Sequence, residues 1–280
     1  MHELFRGDFL KMEKTFPVAL TIAGSDSGGG AGIQADLRTF SFLRTYGCSA
    51  IAALTAQNPE KVTGIFPVSP EFLQSQIAAV LSAFPVKAVK TGMLFSAELI
   101  DAAVDALAEY HGHLVVDPVM VSTSGSRLLR DDAVETMKKR LLPKASLITP
   151  NRFEAEILAG IPIRDFTDTK RAAEICFEKF GCGVVIKGGH SDNPETAEDF
   201  VFLKEEQFTL RAPRLELPEL TTHGTGCTFS AAAAAGLAKG LSFRKALEDA
   251  KQFVWSSLKT NVASGYVVHS MFPLAYLKEG

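Results

Sequence analysis

The sequence has few of the features that mark secreted, membrane-spanning or nucleic-acid-binding proteins. It contains 4 cysteines, and none form a Cys-x-x-Cys pair, so neither a zinc site nor a dithiol motif is indicated. No apolar run reaches the roughly 18 residues that a membrane span requires. Lys and Arg number 29 against 32 Asp and Glu, and the net charge of -3 gives no reason to expect nucleic acid or an anionic membrane as a partner.

The chain also lacks internal repeats, low-complexity segments and linkers. Residues 1–15 have no signal-peptide core and are predicted to be an N-terminal extension, while residues 16–280 are predicted to form a single domain. Four dispersed cysteines in a chain of 280 residues fit a reducing compartment. The sequence therefore predicts a globular protein of the cytoplasm.

The familiar glycine-rich nucleotide signatures are missing as well. The chain contains no Gly-Lys pair of a Walker A loop. The glycine-rich run after the first predicted strand does not fit Gly-x-Gly-x-x-Gly when counted from Gly28, because Ile33 stands at the third glycine position. Counted from Gly30, only a looser form ending in Ala35 fits. A dinucleotide site or a P-loop is thus poorly supported.

What the chain does contain is a regular alternation of short apolar runs with segments of helical periodicity. The predicted strands cover residues 18–22, 49–54, 86–91, 114–116, 147–149 and 184–187, with a hairpin at 200–202 and 208–210. The predicted helices cover residues 33–46, 70–84, 97–110, 131–142, 167–180 and 243–261, with two more beginning near Asn151 and after Gly224. This order predicts a three-layer α/β/α fold with a mainly parallel central sheet.

The carboxyl ends of the parallel strands should meet at one edge of that sheet, where ligands bind in such folds. Polar or glycine-rich residues stand at those ends: Asp26, Gln57, Met93, Asp117, Asn151, Lys187 and Gly224. Any one of them could be a turn former. Because seven such positions converge, we interpret this edge as functional.

The segment from Thr221 to Ser230 carries the clearest chemistry. Gly224 and Gly226 permit a sharp turn, and the alanines at 231–235 predict a helix directly after it. The first amides of a helix have no internal partner, so this glycine-flanked start is a candidate anion site. Cys227 falls in the first turn, where a thiol pKa is expected to be lowered. The alternative is a tightly packed core helix without a ligand.

Seven motifs together identify a resemblance. They are Ala23-Gly-Ser-Asp-Ser-Gly-Gly-Gly-Ala-Gly-Ile-Gln-Ala-Asp36, Ala56-Gln57-Asn58, Lys90-Thr-Gly-Met93, Asp117-Pro-Val-Met120, Thr149-Pro-Asn-Arg-Phe-Glu154, Lys187-Gly-Gly-His190 and His223-Gly-Thr-Gly-Cys-Thr228. From about Val18 to Asn261 the chain resembles the hydroxymethylpyrimidine/phosphomethylpyrimidine kinases of thiamine biosynthesis, in the ribokinase-like superfamily. It departs from the family pattern at Ser27-Gly28-Gly29, where many members have Pro-Ser-Gly, and at 264–271, which lacks the usual Gly-His-Gly.

The resemblance implies ATP-dependent phosphorylation of 4-amino-5-hydroxymethyl-2-methylpyrimidine, first to the monophosphate and then to the diphosphate. Cys227 is the implied base, and the amides of Gly224, Thr225, Gly226 and Cys227 are implied to hold the transferring group. Most superfamily members carry Asp at the position of Cys227. The family also implies a homodimer.

Further roles follow from the same motifs. ATP would be bound by Asp117, Asn151, Glu154 and Lys187, with Glu154 acting on Mg²⁺ through water. The pyrimidine would be bound by Gly24, Ala31, Asp36, Gln57 and Met93. His223 could be a turn residue or a neighbour of the phosphates.

Two other interpretations remain open from the sequence. A pyridoxal or pyridoxine kinase, or one of dual specificity, is separated poorly, because both substrates are six-membered rings with a hydroxymethyl group. A non-catalytic pyrimidine-binding protein is the second alternative. It is disfavoured because Asn151, Glu154 and the glycines are all present, and ATP turnover would distinguish it.

Overall fold

The computed structural model describes residues 15–120, 129, 131–188, 195–217, 222–263 and 269–271. Residues 1–14 of the predicted extension lie outside this set, as do 264–268 of the unusual C-terminal stretch and Gly189 and His190 of the Lys187 motif. No helix in the described ranges combines the length and the hydropathy that a membrane span requires.

One large sheet organises the chain. The strands are β1 (Val18–Asp26), β2 (Tyr46–Gln57), β3 (Val62–Pro67), β4 (Val86–Thr91), β5 (His113–Val116), β6 (Leu147–Ile148), β7 (Gly183–Ile186), β8 (Thr196–Phe202) and β9 (Gln207–Pro213). In the described residues these nine strands lie in the order β3-β2-β1-β4-β5-β6-β7-β8-β9. The six adjacent strands β2-β1-β4-β5-β6-β7 are parallel to one another, whereas β3, β8 and β9 run antiparallel to their neighbours. The mainly parallel sheet is therefore confirmed.

The helices connect these strands. They are α1 (Gly32–Phe42), α2 (Pro70–Ala83), α3 (Ala97–Ala106), α4 (Asp131–Thr136), α5 (Arg152–Ala159), α6 (Phe166–Phe180), α7 (Thr225–Ala238) and α8 (Phe243–Lys259). A small separate ladder pairs β10 (Val262–Ala263) with β11 (His269–Ser270). The chain after α4 continues as a π-helical turn and a 3-10 turn to Lys144, so the predicted single helix over 131–142 is broken into three pieces.

The core lies on both faces of the sheet, which gives the predicted three layers. On β1, Leu20 and Ile22 face a cluster shared with α2, α3, α5 and α6, while Ala19 faces a cluster shared with α1, α7 and α8. This alternation follows the period of a strand. Each parallel strand is covered on both sides, so the central strands appear in the sequence as unbroken apolar runs.

The alanine-rich helix α7 packs closely because its side chains are small. Ala231, Ala233 and Ala235 are fully buried. At Gly236 an added Cβ would lie 2.8 Å from the Cβ of Ala246 on α8, so even one methyl group would crowd this contact. The close packing fixes α7 between the sheet and α8 and thereby fixes the position of its first turn.

Candidate active site

The carboxyl edge of the parallel strands surrounds a cavity with about 770 Å³ of space, including its mouth. Most of the residues proposed from the sequence line it: Gly24, Ala31, Gln57, Met93, Asp117, Asn151, Glu154, Lys187, Gly224, Gly226 and Cys227. The expectation that distant strand ends converge at one edge is thus met.

The first glycine loop, between β1 and α1, is folded around the carboxylate of Asp26. Its Oδ1 accepts the Gly28 amide at 2.8 Å, and its Oδ2 accepts the Ala31 amide at 2.8 Å. Nε2 of His223 lies 3.0 Å from the same Oδ2. Burial raises the pKa of Asp26, but the bonds from His223, Ala31 and Gly28 outweigh it and hold that pKa below its usual value.

The second glycine loop, before α7, touches the first one directly. Gly224 has φ +83°, and a Cβ there would lie 1.9 Å from the carbonyl oxygen of Gly30. A Cβ on Gly30 would in turn lie 2.5 Å from Cδ2 of the His223 ring. Only glycine allows both the left-handed backbone of residue 224 and the close approach of the two loops. His223 therefore forms part of the contact between these loops.

The first turn of α7 supplies free backbone donors. Gly224 is the N-cap residue, and because it has no side chain it caps none of the first amides of the helix. The amides of Gly226 and Cys227 lie at the second and third helical positions, where an amide has no acceptor inside the helix. The Thr225 amide instead donates to the carbonyl of Thr222 at 3.3 Å, and Thr225 does not line the cavity. Of the four amides predicted for an anion site, that of Thr225 is therefore bonded elsewhere, while those of Gly224, Gly226 and Cys227 belong to residues that line the cavity.

The thiol of Cys227 differs from the sequence-based expectation. A first-turn position predicts a lowered pKa, but burial raises the pKa of Cys227 to about 11, although Lys90 and the Gly32 amide act in the opposite direction. The expected lowering is wrong because desolvation of the thiolate, together with the charges of Asp36 and Asp117, outweighs the effect of Lys90 and the Gly32 amide. The resting group is a neutral thiol at pH 7.

On the side of the cavity formed by β5 and β7, a lysine and an aspartate form a close pair. Nζ of Lys187 donates to Oδ1 of Asp117 at 2.8 Å. A Cβ on Gly226 would lie 3.1 Å from the same Nζ, so the start of α7 and the ammonium group are neighbours. Burial lowers the pKa of Lys187, but Asp117 and Glu154 raise it above its usual value, and the cation persists.

Asn151 and Glu154 cap α5 reciprocally. The Asn151 side chain accepts the Glu154 amide at 2.9 Å, and the Glu154 carboxylate accepts the Asn151 amide at 2.8 Å. Burial and Asp117 raise the pKa of Glu154 to about 7, although Lys187 opposes them. Both residues line the cavity, so the capping box also presents a carboxylate to its interior.

The opposite end of the cavity is more apolar. A Cβ on Gly24 would lie 2.4 Å from the Met93 methyl group, so the thioether packs directly on this glycine. Gln57 is held by its backbone, since its amide donates to Ser27 Oγ at 2.8 Å and its carbonyl accepts from the same hydroxyl. Thr55 donates to Oε1 of Gln57 at 3.1 Å. The side-chain amide of Gln57 is thereby held at the cavity, which Met93 also lines.

Two observations revise the set proposed from the sequence. Asp36 is fully buried and lies behind the cavity wall, where it accepts from Lys90 and from the hydroxyl of Thr21. Lys90, Asp26, Thr55 and His223 line the cavity but were not assigned a site role. A signal was available for two of them, since Asp26 stands at a strand end and Lys90 opens the motif Lys90-Thr-Gly-Met93.

The fold and this cavity define a class of protein. A mainly parallel sheet with helices on both faces, a glycine-flanked helix start at the cavity and a nearby lysine and carboxylates are the parts of a ribokinase-like small-molecule kinase. Catalysis of phosphoryl transfer needs such positioning and charge stabilisation.

Comparison with known proteins identifies the family. The sequence model described as "Phosphomethylpyrimidine kinase" matches residues 26–272. A hydroxymethylpyrimidine/phosphomethylpyrimidine kinase from Haemophilus influenzae is 46% identical over 253 residues, covering 88% of this chain and 93% of that protein. A thiamine biosynthesis bifunctional protein from Geobacter sulfurreducens is 46% identical over 241 residues, covering 86% of this chain and 49% of that protein. The chain belongs to the phosphomethylpyrimidine kinase family and is an enzyme.

Comparison with solved structures agrees with the ribokinase-like fold. The pyridoxal kinase from Staphylococcus aureus, solved in complex with AMP-PCP and pyridoxal, superposes with a TM-score of 0.83 at 35% identity. The alignment covers 95% of this chain and 96% of that chain. The ribokinase-like architecture is therefore shared along nearly the whole chain.

The contact between the glycine loops gives a first prediction. Gly224→Ala adds backbone strain of about 1–2 kcal/mol and forces the α7 start away from Gly30, so we expect kcat for phosphoryl transfer from ATP to fall at least about 10-fold, since small misplacements are costly in such sites. Steady-state kinetics measures this. The control is Gly240→Ala, which has φ +79° and nothing within 4 Å of the added Cβ. Equal losses in both variants would show that strain alone, and not the loop contact, matters.

Proposed function

We propose that this enzyme transfers the γ-phosphoryl group of ATP to the hydroxymethyl oxygen of 4-amino-5-hydroxymethyl-2-methylpyrimidine, and a second phosphoryl group to the monophosphate, in thiamine biosynthesis. One observation carries the proposal beyond family membership. The start of α7 lies between the two ends of the cavity, because Gly224 lies against Gly30 of the first glycine loop and Gly226 lies beside Lys187. An acceptor and a phosphate donor would therefore meet at the same helix start.

The donor phosphates fit the Lys187 side. The ammonium group of Lys187 lies beside Gly226 at the start of α7, and Lys187, Gly226 and Cys227 all line the cavity. These groups are fixed by the sheet and by α7 before any substrate enters. Preorganised donors of this kind stabilise negative charge without reorganisation during the reaction.

In the first transfer, a bond forms between the hydroxymethyl oxygen and the γ-phosphorus of ATP. The bond from that phosphorus to the β,γ-bridging oxygen breaks, and its electron pair leaves with ADP. The hydroxyl proton passes to the sulfur of Cys227, which must be a thiolate at that moment. Because the transition state is loose, the proton can leave late, and a weakly populated base suffices.

In the second transfer, the acceptor is a phosphate monoester. Its second pKa is about 6, so its oxygen is largely deprotonated above neutral pH. No proton has to be removed for this oxygen to attack. A base at Cys227 is therefore needed for the first transfer but not for the second.

Magnesium is part of the proposal. Within the described residues no group of three or more His, Cys, Asp or Glu side chains could hold a metal alone. The carboxylates of Glu154 and Asp117 nonetheless line the cavity and provide the hard oxygen ligands that Mg²⁺ prefers. Bound Mg²⁺ would neutralise phosphate charge. Glu154 would hold it through water, as Mg²⁺ keeps part of its hydration shell.

The pyrimidine fits the Gln57 side. An aminopyrimidine offers an exocyclic amine donor beside a ring-nitrogen acceptor, and a glutamine amide offers one acceptor oxygen and two donor hydrogens. Met93 provides an apolar surface of a size suited to a ring face. The likeness to a pyridoxal kinase makes pyridoxal the alternative acceptor to test, but pyridoxal lacks the exocyclic amine.

Two further features are proposed from the family and the sequence. We propose a homodimer, and exposed Leu54, Phe66 and Phe72 on neighbouring elements are compatible with an interface that light scattering can test. We also propose a cytoplasmic location, which is supported by the free thiols of Cys48, Cys176, Cys182 and Cys227.

Ring recognition is tested with three acceptors and MgATP: hydroxymethylpyrimidine, its monophosphate and pyridoxal. The wild type should phosphorylate both pyrimidines. A buried amide left half unpaired costs roughly 1–3 kcal/mol, so Gln57→Leu should raise KM for hydroxymethylpyrimidine on the order of 5- to 150-fold, with KM for ATP nearly unchanged. Pyridoxal phosphorylation, where measurable, should suffer much less. Equal losses on all acceptors and on ATP would mean that Gln57 only supports its loop.

The base role makes a prediction that separates the two transfers. Cys227→Ala should lower kcat for hydroxymethylpyrimidine about 100-fold or more, the range for positioned acid–base groups. It should change kcat for the monophosphate by much less, because that acceptor is already ionised. Rapid-quench assays of each transfer measure the difference. A similar loss in both transfers would rule out the base role and leave Cys227 as part of the anion site.

The magnesium assignment is tested by Glu154→Gln, which removes the charge and keeps the shape. The variant should need more Mg²⁺ for half-maximal rate. At limiting Mg²⁺ the ratio of the wild-type rate to the variant rate should rise with pH through about 7, since the carboxyl group of pKa about 7 ionises there in the wild type alone. A magnesium titration that overlays the wild-type curve at each pH would mean that the metal is held elsewhere.

A further inference from the structure

Asp199 is a buried carboxylate outside the cavity lining. It lies on β8, is 4% exposed, and is not among the residues that line the cavity. Its Oδ1 accepts the amide of Gly188 at 2.9 Å, and its Oδ2 accepts Nζ of Lys251 at 2.7 Å. One side chain on β8 therefore joins the chain just after β7 to helix α8.

The bond to Gly188 lies beyond the paired part of β7 and β8. The antiparallel pairing of these strands reaches Ile186, opposite Phe200. Two residues further on, a Cβ at Gly188 would lie 1.9 Å from the carbonyl oxygen of Glu198, so β8 approaches this position too closely for any residue but glycine. The Gly188 amide is bonded by the carboxylate of Asp199 in place of a strand carbonyl. Asp199 thereby extends the contact of β8 with this segment.

The segment carries Lys187, whose side chain lines the cavity. Lys187 directly precedes Gly188, and its own amide donates to the carbonyl of Pro150 at 2.9 Å. Its Nζ lies 2.8 Å from Oδ1 of Asp117 and 3.1 Å from the position of a Cβ on Gly226 at the start of α7. The backbone here is thus hydrogen-bonded to the end of β6 on one side and to β8 on the other, which fixes where the side chain of Lys187 begins.

Packing alone does not account for a charged pair at this place. Replacing a buried ion pair by apolar side chains is often neutral or stabilising. Val201 lies two residues along β8 on the same face and is apolar and fully buried, so the surroundings accept an apolar side chain. An apolar residue at position 199 would, however, leave the Gly188 amide without its acceptor. The acceptor is therefore what Asp199 contributes, and Lys251 orients the carboxylate that provides it.

We propose that Asp199 is a positioning residue for phosphoryl transfer, because its bond to the Gly188 amide holds Lys187 where the ammonium group lies beside the start of α7. Asp199 acts through Lys187, and it neither touches a substrate nor exchanges a proton. The inference rests on the role proposed above for Lys187, which is to bind the phosphates of ATP. Nucleotide binding can be measured without an acceptor, so the test does not depend on which ring is phosphorylated.

The test compares two double variants that differ only in the acceptor for Gly188. Lys251→Met/Asp199→Asn removes both charges and keeps a carbonyl oxygen, whereas Lys251→Met/Asp199→Leu has a side chain of similar size without one. The measurement is Kd for AMP-PCP with Mg²⁺, by isothermal titration calorimetry. We expect the variant without the acceptor to bind about tenfold more weakly than wild type, the lower end of what a lost hydrogen bond to a charged group costs. The variant that keeps the acceptor should stay within about threefold of wild type.

A second comparison tests whether the effect passes through Lys187. In a Lys187→Met background the ammonium group is absent, so loss of the Gly188 bond has no cation left to misplace. Adding Lys251→Met/Asp199→Leu to Lys187→Met should therefore change Kd by less than about twofold. Non-additivity of this kind identifies side chains that act as one unit. Under turnover, KM for ATP should rise while KM for hydroxymethylpyrimidine stays nearly unchanged.

The matched control is Val201→Ala, which removes buried volume from the same face of the same strand and leaves the bonds of Asp199 intact. It should lower the melting temperature, because it opens a cavity in the core, while Kd for AMP-PCP stays within about twofold of wild type. If Lys251→Met/Asp199→Leu does not fold, Lys251→Met/Asp199→Ala takes its place, since it also lacks the acceptor and adds no bulk.

The proposal is overturned if the variants with and without the acceptor bind AMP-PCP equally, or if loss of the acceptor costs as much in the Lys187→Met background as in the presence of Lys187. Lys187→Met itself separates these results from the proposed function. If it weakens AMP-PCP binding while loss of the acceptor does not, only the role of Asp199 is wrong. If it binds AMP-PCP as tightly as wild type, the proposed role of Lys187 is wrong as well.

Discussion

The close approach of two glycine loops is the constraint on which the cavity depends. The carboxylate of Asp26 accepts hydrogen bonds from two amides of the first loop and lies 3.0 Å from the His223 ring of the second loop. The carbonyl of Gly30 occupies the space that a Cβ of residue 224 would need. These contacts fix the start of α7 relative to β1. The amides at that helix start, which would act on the transferring phosphoryl group, are thereby positioned relative to the first glycine loop.

The cavity wall carries charges that are already paired. Lys187 binds Asp117 and Lys90 binds Asp36, and the carboxylate of Asp26 accepts backbone amides of its own loop. Pairing offsets part of the cost of taking each charge out of water, and a charge held in a poorly hydrated wall acts more strongly on a ligand than one in water. It also limits net charge in the site, so the arrival of ATP and a metal ion does not have to overcome a large field of one sign.

The sequence predicted the parallel core well because buried strands appear as apolar runs bounded by turn residues. It did not predict β3, where Gly64 and Pro67 interrupt the pattern and the strand is largely exposed at the edge of the sheet. It extended α3 to Tyr110, although the helix ends at Ala106. Helix ends are decided by a few local contacts, which periodicity does not encode.

By itself, the sequence determined the alternation of strands and helices, the glycine turn before α7 and the residue types at the carboxyl edge. Only the tertiary structure decided which of those residues face the cavity and which charges they meet. Asp36 belongs to the strongest motif yet lies behind the wall, because Lys90, 54 residues away in sequence, holds it there. The pKa of Cys227 rises instead of falling for a related reason. Desolvation depends on how all the surrounding elements pack, and no local pattern carries that information.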